Sequence, residues 1–315
     1  MKQLQNKLFC RPAGWLSGLV RHRFLPVAGF ILAMALLPGH GVRAQEPDLF
    51  DLIADDEPEA IAVTSLFKTT RVVNGQSVEN PPAGEMKFLV SHHFGRLNMG
   101  AYHFFGLDQA TIRLGLEYGI SDRLAVAAGR SSYDKTYDAF VKYKLLRQTV
   151  GAHDFPFTLS LFSGISVNTL RATPGVDMPF PDRLAYVQQL LLARKFSHAL
   201  SLQLSPAWVH VNRVADRADP NDIVALGIGG RLLLTGRISL NAEYHYRFNK
   251  PASYDTYNTL SVGFDIETGG HVFQLHFTNA QPMFERGFIA DSRGNWLNGD
   301  IYFGFHIVRV FSLSH

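Results

Sequence analysis

Apolar and polar residues alternate along most of this chain with a period of two. The pattern is cleanest over 108–148. There Ala110, Ile112, Leu114, Leu116, Tyr118 and Ile120 share one parity, and Thr111, Arg113, Gly115, Glu117 and Gly119 share the other. Alternation sustained for ten residues predicts a strand with one apolar and one polar face. Leu124, Val126 and Ala128 continue it, and Tyr137, Ala139, Val141, Tyr143 and Leu145 then oppose Asp138, Lys142 and Lys144. Further runs are predicted at 85–94, 157–167, 184–194, 200–208, 223–234, 238–248, 260–267, 273–278 and 301–307, about twelve in all. The run at 238–248 is as regular as the first, with Tyr244 and Tyr246 opposite Glu243, His245 and Arg247. The run at 184–194 is apolar on both parities, so a helix is the alternative there.

What covers the apolar faces decides the fold. Many runs last nine to thirteen residues, longer than the usual strand of about 5–6 and suited to the roughly 9–11 that a tilted membrane strand needs. The connections alternate in length. Short ones fall at 121–122, 149–154, 196–197, 235–236 and 269–270, and longer or more polar ones at 96–107, 131–135, 171–182, 212–221, 249–257 and 279–298. Tyr118, Tyr143, Trp208, Tyr244 and Tyr246 lie near run ends on the apolar parity, as in an aromatic girdle. A soluble β-sandwich accounts for the alternation but not for the lengths or the loop asymmetry. The expected fold is therefore all-β, a transmembrane antiparallel up-and-down β-barrel of about twelve strands, closed so that no backbone group faces lipid unpaired.

Composition then adds a leader. The basic pI of about 8.9 comes from the first 44 residues, which hold Lys2, Lys7, Arg11, Arg21, Arg23 and Arg43 and no carboxylate; without them 24 basic residues face 27 acidic ones. Nucleic acid is excluded as a partner on that balance. A basic start, an apolar run over 24–37 and Val42-Arg43-Ala44 predict a signal peptide cleaved after Ala44 and delivery to the cell outer membrane. Cys10, the single cysteine, lies inside this leader, so the mature chain has no disulfide, thiolate metal site or cysteine nucleophile. Residues 45–84 then form a segment of their own ahead of the barrel at 85–315. Its start is an acidic tail carrying Asp48, Asp51, Asp55, Asp56, Glu57 and Glu59. Residues 60–79 carry an Asn74-Gly75 turn between β-prone runs, which fits a hairpin at the barrel mouth, a plug or an extra strand.

The stretches SLFKTTRVVNGQSVE (65–79), FLVSHHFG (88–95) and GLDQATIRLGLEYGISDRLAVAAGRSSYDKTYDAFVKYKLLRQ (106–148) resemble a domain-of-unknown-function family of Gram-negative outer-membrane β-barrel proteins. The resemblance covers most of the mature chain. It implies an outer-membrane barrel and supplies no activity, ligand or catalytic residue. One departure is the end of the chain, Phe311-Ser312-Leu313-Ser314-His315, where many outer-membrane proteins finish on an aromatic residue.

For function, the polar parity matters most. Arg113 and Glu117, with Arg130, Asp138, Lys142 and Lys144 on neighbouring runs and Glu243, Arg247, Asp265 and Glu267 farther on, form an expected charged lumen row. Such a row selects solutes or holds a ligand; alternatively it is salt-bridged filling of a narrow barrel. Among histidines, His245, His276 and His306 have inward parity and His92-His93 lie in the opening run. Convergent imidazoles bind zinc or copper, but the spacing fits no ligand motif, so lumen hydrogen bonding is expected and no metal. Neither a GxSxG elbow nor another nucleophile signature supports lipid hydrolysis, and Gly227-Ile228-Gly229-Gly230 sits within a strand and lacks the residues of a phosphate loop. No catalytic residue and no cofactor is expected. Met178, Phe180, Met283, Phe284 and Trp296 on the long loops either contact a partner or fold into the mouth. The expected role is a narrow channel or solute-binding conduit, with a non-conducting barrel that anchors or recruits a periplasmic or cell-surface protein as the alternative and an outer-membrane lipid-acting enzyme as the third. Expected partners are outer-membrane lipid, a small solute and such a protein. The face assignment further predicts that Leu114→Arg impairs assembly, while Arg113→Leu leaves the barrel assembled and changes any conductance.

Overall fold

The computed structural model describes residues 60–172, 177–268 and 271–313. The leader over 1–44, the acidic tail over 45–59, the turn at 269–270 and part of the loop at 172–182 lie outside the described residues. Among those described, twelve antiparallel strands close into a barrel: β1 (Glu85–Arg96), β2 (Ala110–Gly119), β3 (Leu124–Ser131), β4 (Tyr137–Leu146), β5 (Thr158–Val167), β6 (Leu184–Lys195), β7 (Leu200–Val211), β8 (Asp222–Leu233), β9 (Ile238–Arg247), β10 (Thr259–Thr268), β11 (His271–Thr278) and β12 (Tyr302–Ser312). Each strand pairs with its neighbours in sequence, and β12 closes on β1 from Tyr302↔Arg96 to Ser312↔Glu85. Closure leaves no edge strand.

The faces are inverted relative to a water-soluble protein. On β2, Ile112, Leu114, Leu116 and Tyr118 are 37–48% exposed, while Arg113 is 1% and Glu117 2% exposed. Apolar surface wrapped around a ring of strands while charges are buried is stable only in hydrocarbon. Aromatic side chains on that outer face collect at the strand ends. Tyr137, Trp208, Tyr244 and Tyr246 lie toward the long loops, and Tyr118, Tyr143 and Phe311 toward the short turns. Leu114→Arg tests the face directly. It places a charge on the outer face in mid-strand, which costs about 2–4 kcal/mol at a bilayer midplane. The expected loss of folded protein is measured by urea titration in lipid vesicles, and stability equal to the parent protein would overturn the assignment.

β6 is a strand, and its two apolar faces have separate causes. Leu190 (42% exposed) faces outward, whereas Val187 and Leu191 (2% and 0%) face inward. Inside, they join Ala207, Val209, Ile223 and Ala225 of β7 and β8 in an apolar core. The residues that complete this core come from outside the barrel wall. Leu66, Phe67, Val72 and Val78 belong to the N-terminal segment, and Phe288, Ile289 and Ala290 to a short helix, α1 (Glu285–Ala290), in the β11–β12 connection. The lumen is thus filled along this side by hydrophobic packing rather than lined with polar groups throughout.

Candidate functional site

Residues 66–79 occupy the lumen as a tight hairpin. The Val72 N–H donates to the Gly75 carbonyl at 2.8 Å, the Ser77 N–H to the Thr70 carbonyl at 2.9 Å, and Arg71 bridges Gln76. The turn at Asn74-Gly75 sits against the Glu243 carboxylate, which accepts the N–H groups of Val73 (3.2 Å), Asn74 (2.8 Å) and Gly75 (2.9 Å). Gly75 lets the turn approach closely: a Cβ there would stand 3.0 Å from Glu243 Oε2, so the carboxylate would have to shift. Both arms leave by the short-turn end of the barrel. Ile61–Ala62 pairs with Thr149–Val150, and Asn80 Nδ2 donates to the Arg123 carbonyl at 2.9 Å.

The inner wall supplies partners for many of the hairpin's buried polar groups, as burial requires. Lys142 Nζ donates to Gln76 Oε1, the Ser77 carbonyl and the Glu79 carbonyl at 3.2, 3.1 and 2.6 Å. Gln203 accepts the Val78 N–H at 3.0 Å and donates to the Gln76 carbonyl at 2.7 Å. Gln274 donates to the Val72 carbonyl at 2.8 Å and to Asp265 at 2.7 Å. Ion pairs join Lys144 to Glu79 (3.6 Å) and Lys68 to Glu267 (2.5 Å). From above, Glu285 of α1 receives Arg71 Nη1 at 2.8 Å and Gln76 Nε2 at 2.9 Å. The hairpin and α1 therefore hold each other across the lumen. Two cavities beside them, bordered by Gly75, Gln76 and Gln203, and by Asp138, Phe284 and Glu285, measure about 10 Å³ each, room for one water at most.

Nine of the ten charged residues singled out in the sequence have inward parity. Arg113 and Asp138 form a buried bidentate pair with Nε–Oδ1 at 2.9 Å, Glu117 is buried within Coulombic range of Arg71 and Lys142, and Arg247 Nη1 donates to the Ala290 carbonyl at the end of α1 (2.7 Å). Arg130 is a correction. It is exposed on the outer face, in register with Leu114 and Tyr137, with its guanidinium 5.6 Å from the Tyr137 ring. The physical reason is parity: Arg130 follows Leu124, Val126 and Ala128, and at the rim a long basic side chain reaches the polar boundary from a lipid-facing position. Gln76, Arg71, Gln203, Gln274 and Glu285 were not singled out; neutral amides carry no charge pattern, and the contacts of Arg71 and Gln76 with Glu285, of Gln203 with Gln76 and of Gln274 with Val72 join residues more than 100 positions apart.

Three inward histidines on adjacent strands meet. His93 Nε2 and His276 Nε2 are 2.8 Å apart across Gly304, and the His306 ring stacks on His276 with centroids 4.6 Å apart. His93 Nδ1 lies 3.0 Å from the Gln281 carbonyl. A carbonyl only accepts, so that nitrogen carries the proton and Nε2 is left to accept from His276. The imidazoles are hydrogen-bonded and stacked rather than convergent on a point. Among the described residues no group of three or more His, Cys, Asp or Glu is arranged to hold a metal ion.

At the long-loop end, Met283, Phe284 and α1 fold inward and are buried, as is most of Trp296, whose Nε1 donates to the Leu260 carbonyl at 2.9 Å; Phe180 is 65% exposed. Above α1 lie two cavities of about 350 and 360 Å³. Burial pushes the Tyr133 hydroxyl up to about 12, with the Asp291 carboxylate adding to it, and burial likewise raises Tyr254. Both hydroxyls stay neutral hydrogen-bonding groups.

A family model described as a membrane bound beta barrel domain (DUF5777) matches residues 67–311. No curated protein matches. Among solved structures the chain is similar to the NanC porin (8% identity, 73% of this chain and 100% of that one, TM-score 0.45). It is also similar to the KdgM porin (10%, 73% and 99%, 0.43) and to an outer membrane channel from Pseudomonas putida F1 (14%, 74% and 98%, 0.46).

Proposed function

The chain belongs to the family of membrane-bound beta barrel domains, and from that premise we propose that it is an outer-membrane conduit for small solutes held shut by its own N-terminal hairpin. In this reading the short turns and the hairpin's two arms face the periplasm, and the long loops face the medium, as loop length favours. The observation that carries it is the fit of residues 70–79 to the inner wall. Glu243, Lys142, Gln203 and Gln274 bind hairpin backbone groups, a set of contacts that water replaces one for one when the hairpin leaves. Such a bond has a net worth of about 0.5–1.5 kcal/mol between neutral groups, as for Gln203 and Gln274, and about 1.5–3 kcal/mol where Glu243 or Lys142 takes part. Because both arms exit at one end, withdrawal needs no threading of the chain. Arg113, Glu117, Asp138, Lys142, Lys144, Glu243, Arg247, Asp265 and Glu267 then line a hydrated path whose charges select the solute.

A barrel that stays shut and recruits a periplasmic or surface protein is the second reading, favoured by the apolar core that ties the hairpin and α1 to β6–β8. Planar-bilayer recordings separate the two. The full chain is expected to stay closed most of the time, and a variant lacking residues 60–79 to pass steady ionic current while keeping folded-barrel mobility on unboiled gels. A folded deletion variant that conducts no more than the parent would overturn the conduit.

A further inference from the structure

The two mouth cavities share Val211, Arg213, Val214, Ala215 and Arg286, so they form one divided cup. Their volumes, about 350 and 360 Å³, fall in the range of about 300–1,000 Å³ seen for small-molecule sites. The floor is solid, since Phe284, Phe288 and Ile289 are at most 2% exposed. Glu285 and Arg286 divide the work of the helix start: Glu285 reaches Arg71 and Gln76 of the hairpin below, while Arg286 borders both halves of the cup.

Charge is unbalanced in the first half of the cup alone. Arg183, Arg213 and Arg286 border it against Asp182, whereas the second half sets Asp134, Asp219 and Asp291 against Arg213, Arg286 and Arg293. Asp182 is taken by Arg213 at 3.2 Å, and Arg183 donates to the carbonyls of Met178, Asn168 and Leu170. Arg286 has Asp291 at 3.8 Å, a carboxylate shared with Arg293 at 3.1 Å, and Asp134 within Coulombic range. Arg286 is therefore the guanidinium with spare donors, in a fork that matches a carboxylate. Around it stand the hydroxyls of Thr136 and Ser166 and the apolar surface of Val211 and Val214.

We propose that the first half of the cup binds a small hydroxylated organic carboxylate, with Arg286 taking the carboxylate, Arg213 flanking it, Thr136 and Ser166 meeting hydroxyls, and Val211 and Val214 covering the carbon skeleton. This rests on the reading that the long loops face the medium; binding is nevertheless measured in detergent, so its failure is separate from a failure to conduct.

Isothermal titration of the purified full chain with gluconate, sorbitol and inorganic phosphate tests it. Gluconate is expected to bind and sorbitol, the same open carbon chain with a hydroxymethyl group in place of the carboxylate, to bind about tenfold more weakly or worse, the factor for one charge-assisted contact. Arg286→Gln and Arg213→Gln, each checked for folded-barrel gel mobility, are expected to weaken gluconate by a similar factor, and Arg130→Gln on the outer face to leave it unchanged. Equal binding of sorbitol and gluconate, undiminished binding by Arg286→Gln, or phosphate binding as tightly as gluconate would each overturn the assignment.

Discussion

Replacing Arg113 by leucine is expected to destabilise the folded barrel by about 3–5 kcal/mol, the usual cost of leaving one member of a buried ion pair alone. Arg113 is 1% exposed, and its Nε lies 2.9 Å from Asp138 Oδ1 with Nη2 on the second oxygen. The guanidinium lies between two glycines. A Cβ at Gly115 would stand 2.7 Å from Nη1 and one at Gly129 2.5 Å from Nη2, so the wall is shaped around this side chain. With leucine there, Asp138 keeps its burial and loses its counter-charge. Arg113→Leu combined with Asp138→Leu is expected to recover much of the loss, because an apolar pair of similar volume often replaces a buried ion pair without penalty. Urea unfolding in lipid vesicles measures both. A single variant as stable as the parent, or a double variant no better than the single, would show that the pair does not matter. The sequence pattern suggested that leucine would be tolerated at 113. Parity places Arg113 and Asp138 on one face, but only the register, with Arg113 opposite Ser131 and Gly129 opposite Asp138, shows that they touch.

That difference marks what the sequence made legible. The outer face was readable because each strand carries its own evidence, a period of two with apolar residues facing a single uniform solvent. Strand number and loop asymmetry followed from it. The interior was not, since an inward residue is defined by what lies across the lumen. β6 looked ambiguous because its inner face, Val187 and Leu191, is covered by Phe288 and by the N-terminal segment, neither of which is local. The turn at Asn74-Gly75 was plain, yet its place depends on Glu243, Gln203 and Gln274. α1 spans six residues, under two turns, too short to show a helical period. Arg130 was the one misplacement with a local warning: its charge suggested the lumen, and its parity with Val126 and Ala128 said otherwise.

Substituting Glu243 by alanine is expected to unseat the hairpin while leaving the barrel wall intact. Three successive N–H groups, of Val73, Asn74 and Gly75, point at one carboxylate, an arrangement of backbone donors that favours an anion. Val73 is 0% and Asn74 1% exposed, so alanine leaves donors in a dry place at about 1–3 kcal/mol each. The wall itself loses nothing comparable, because the main-chain ladder of β9 with β8 and β10 does not involve the side chain. The strain therefore falls on the hairpin, which keeps its ties to Lys142, Gln203, Gln274 and Glu285, its ion pairs with Lys144 and Glu267, and its place in the apolar core. Hydrogen-exchange protection of the 73–75 amides is expected to fall by about tenfold or more, each 1.4 kcal/mol being one factor of ten, while that of the barrel strands is unchanged. Glu243→Gln keeps an accepting oxygen and is expected to lie between. In bilayer recordings the alanine variant is expected to open more often than the parent, in the direction of the 60–79 deletion. Parent-like protection at 73–75 would mean that the carboxylate is not what seats the turn. Lost protection with no rise in conductance would separate the hairpin's seating from any gate.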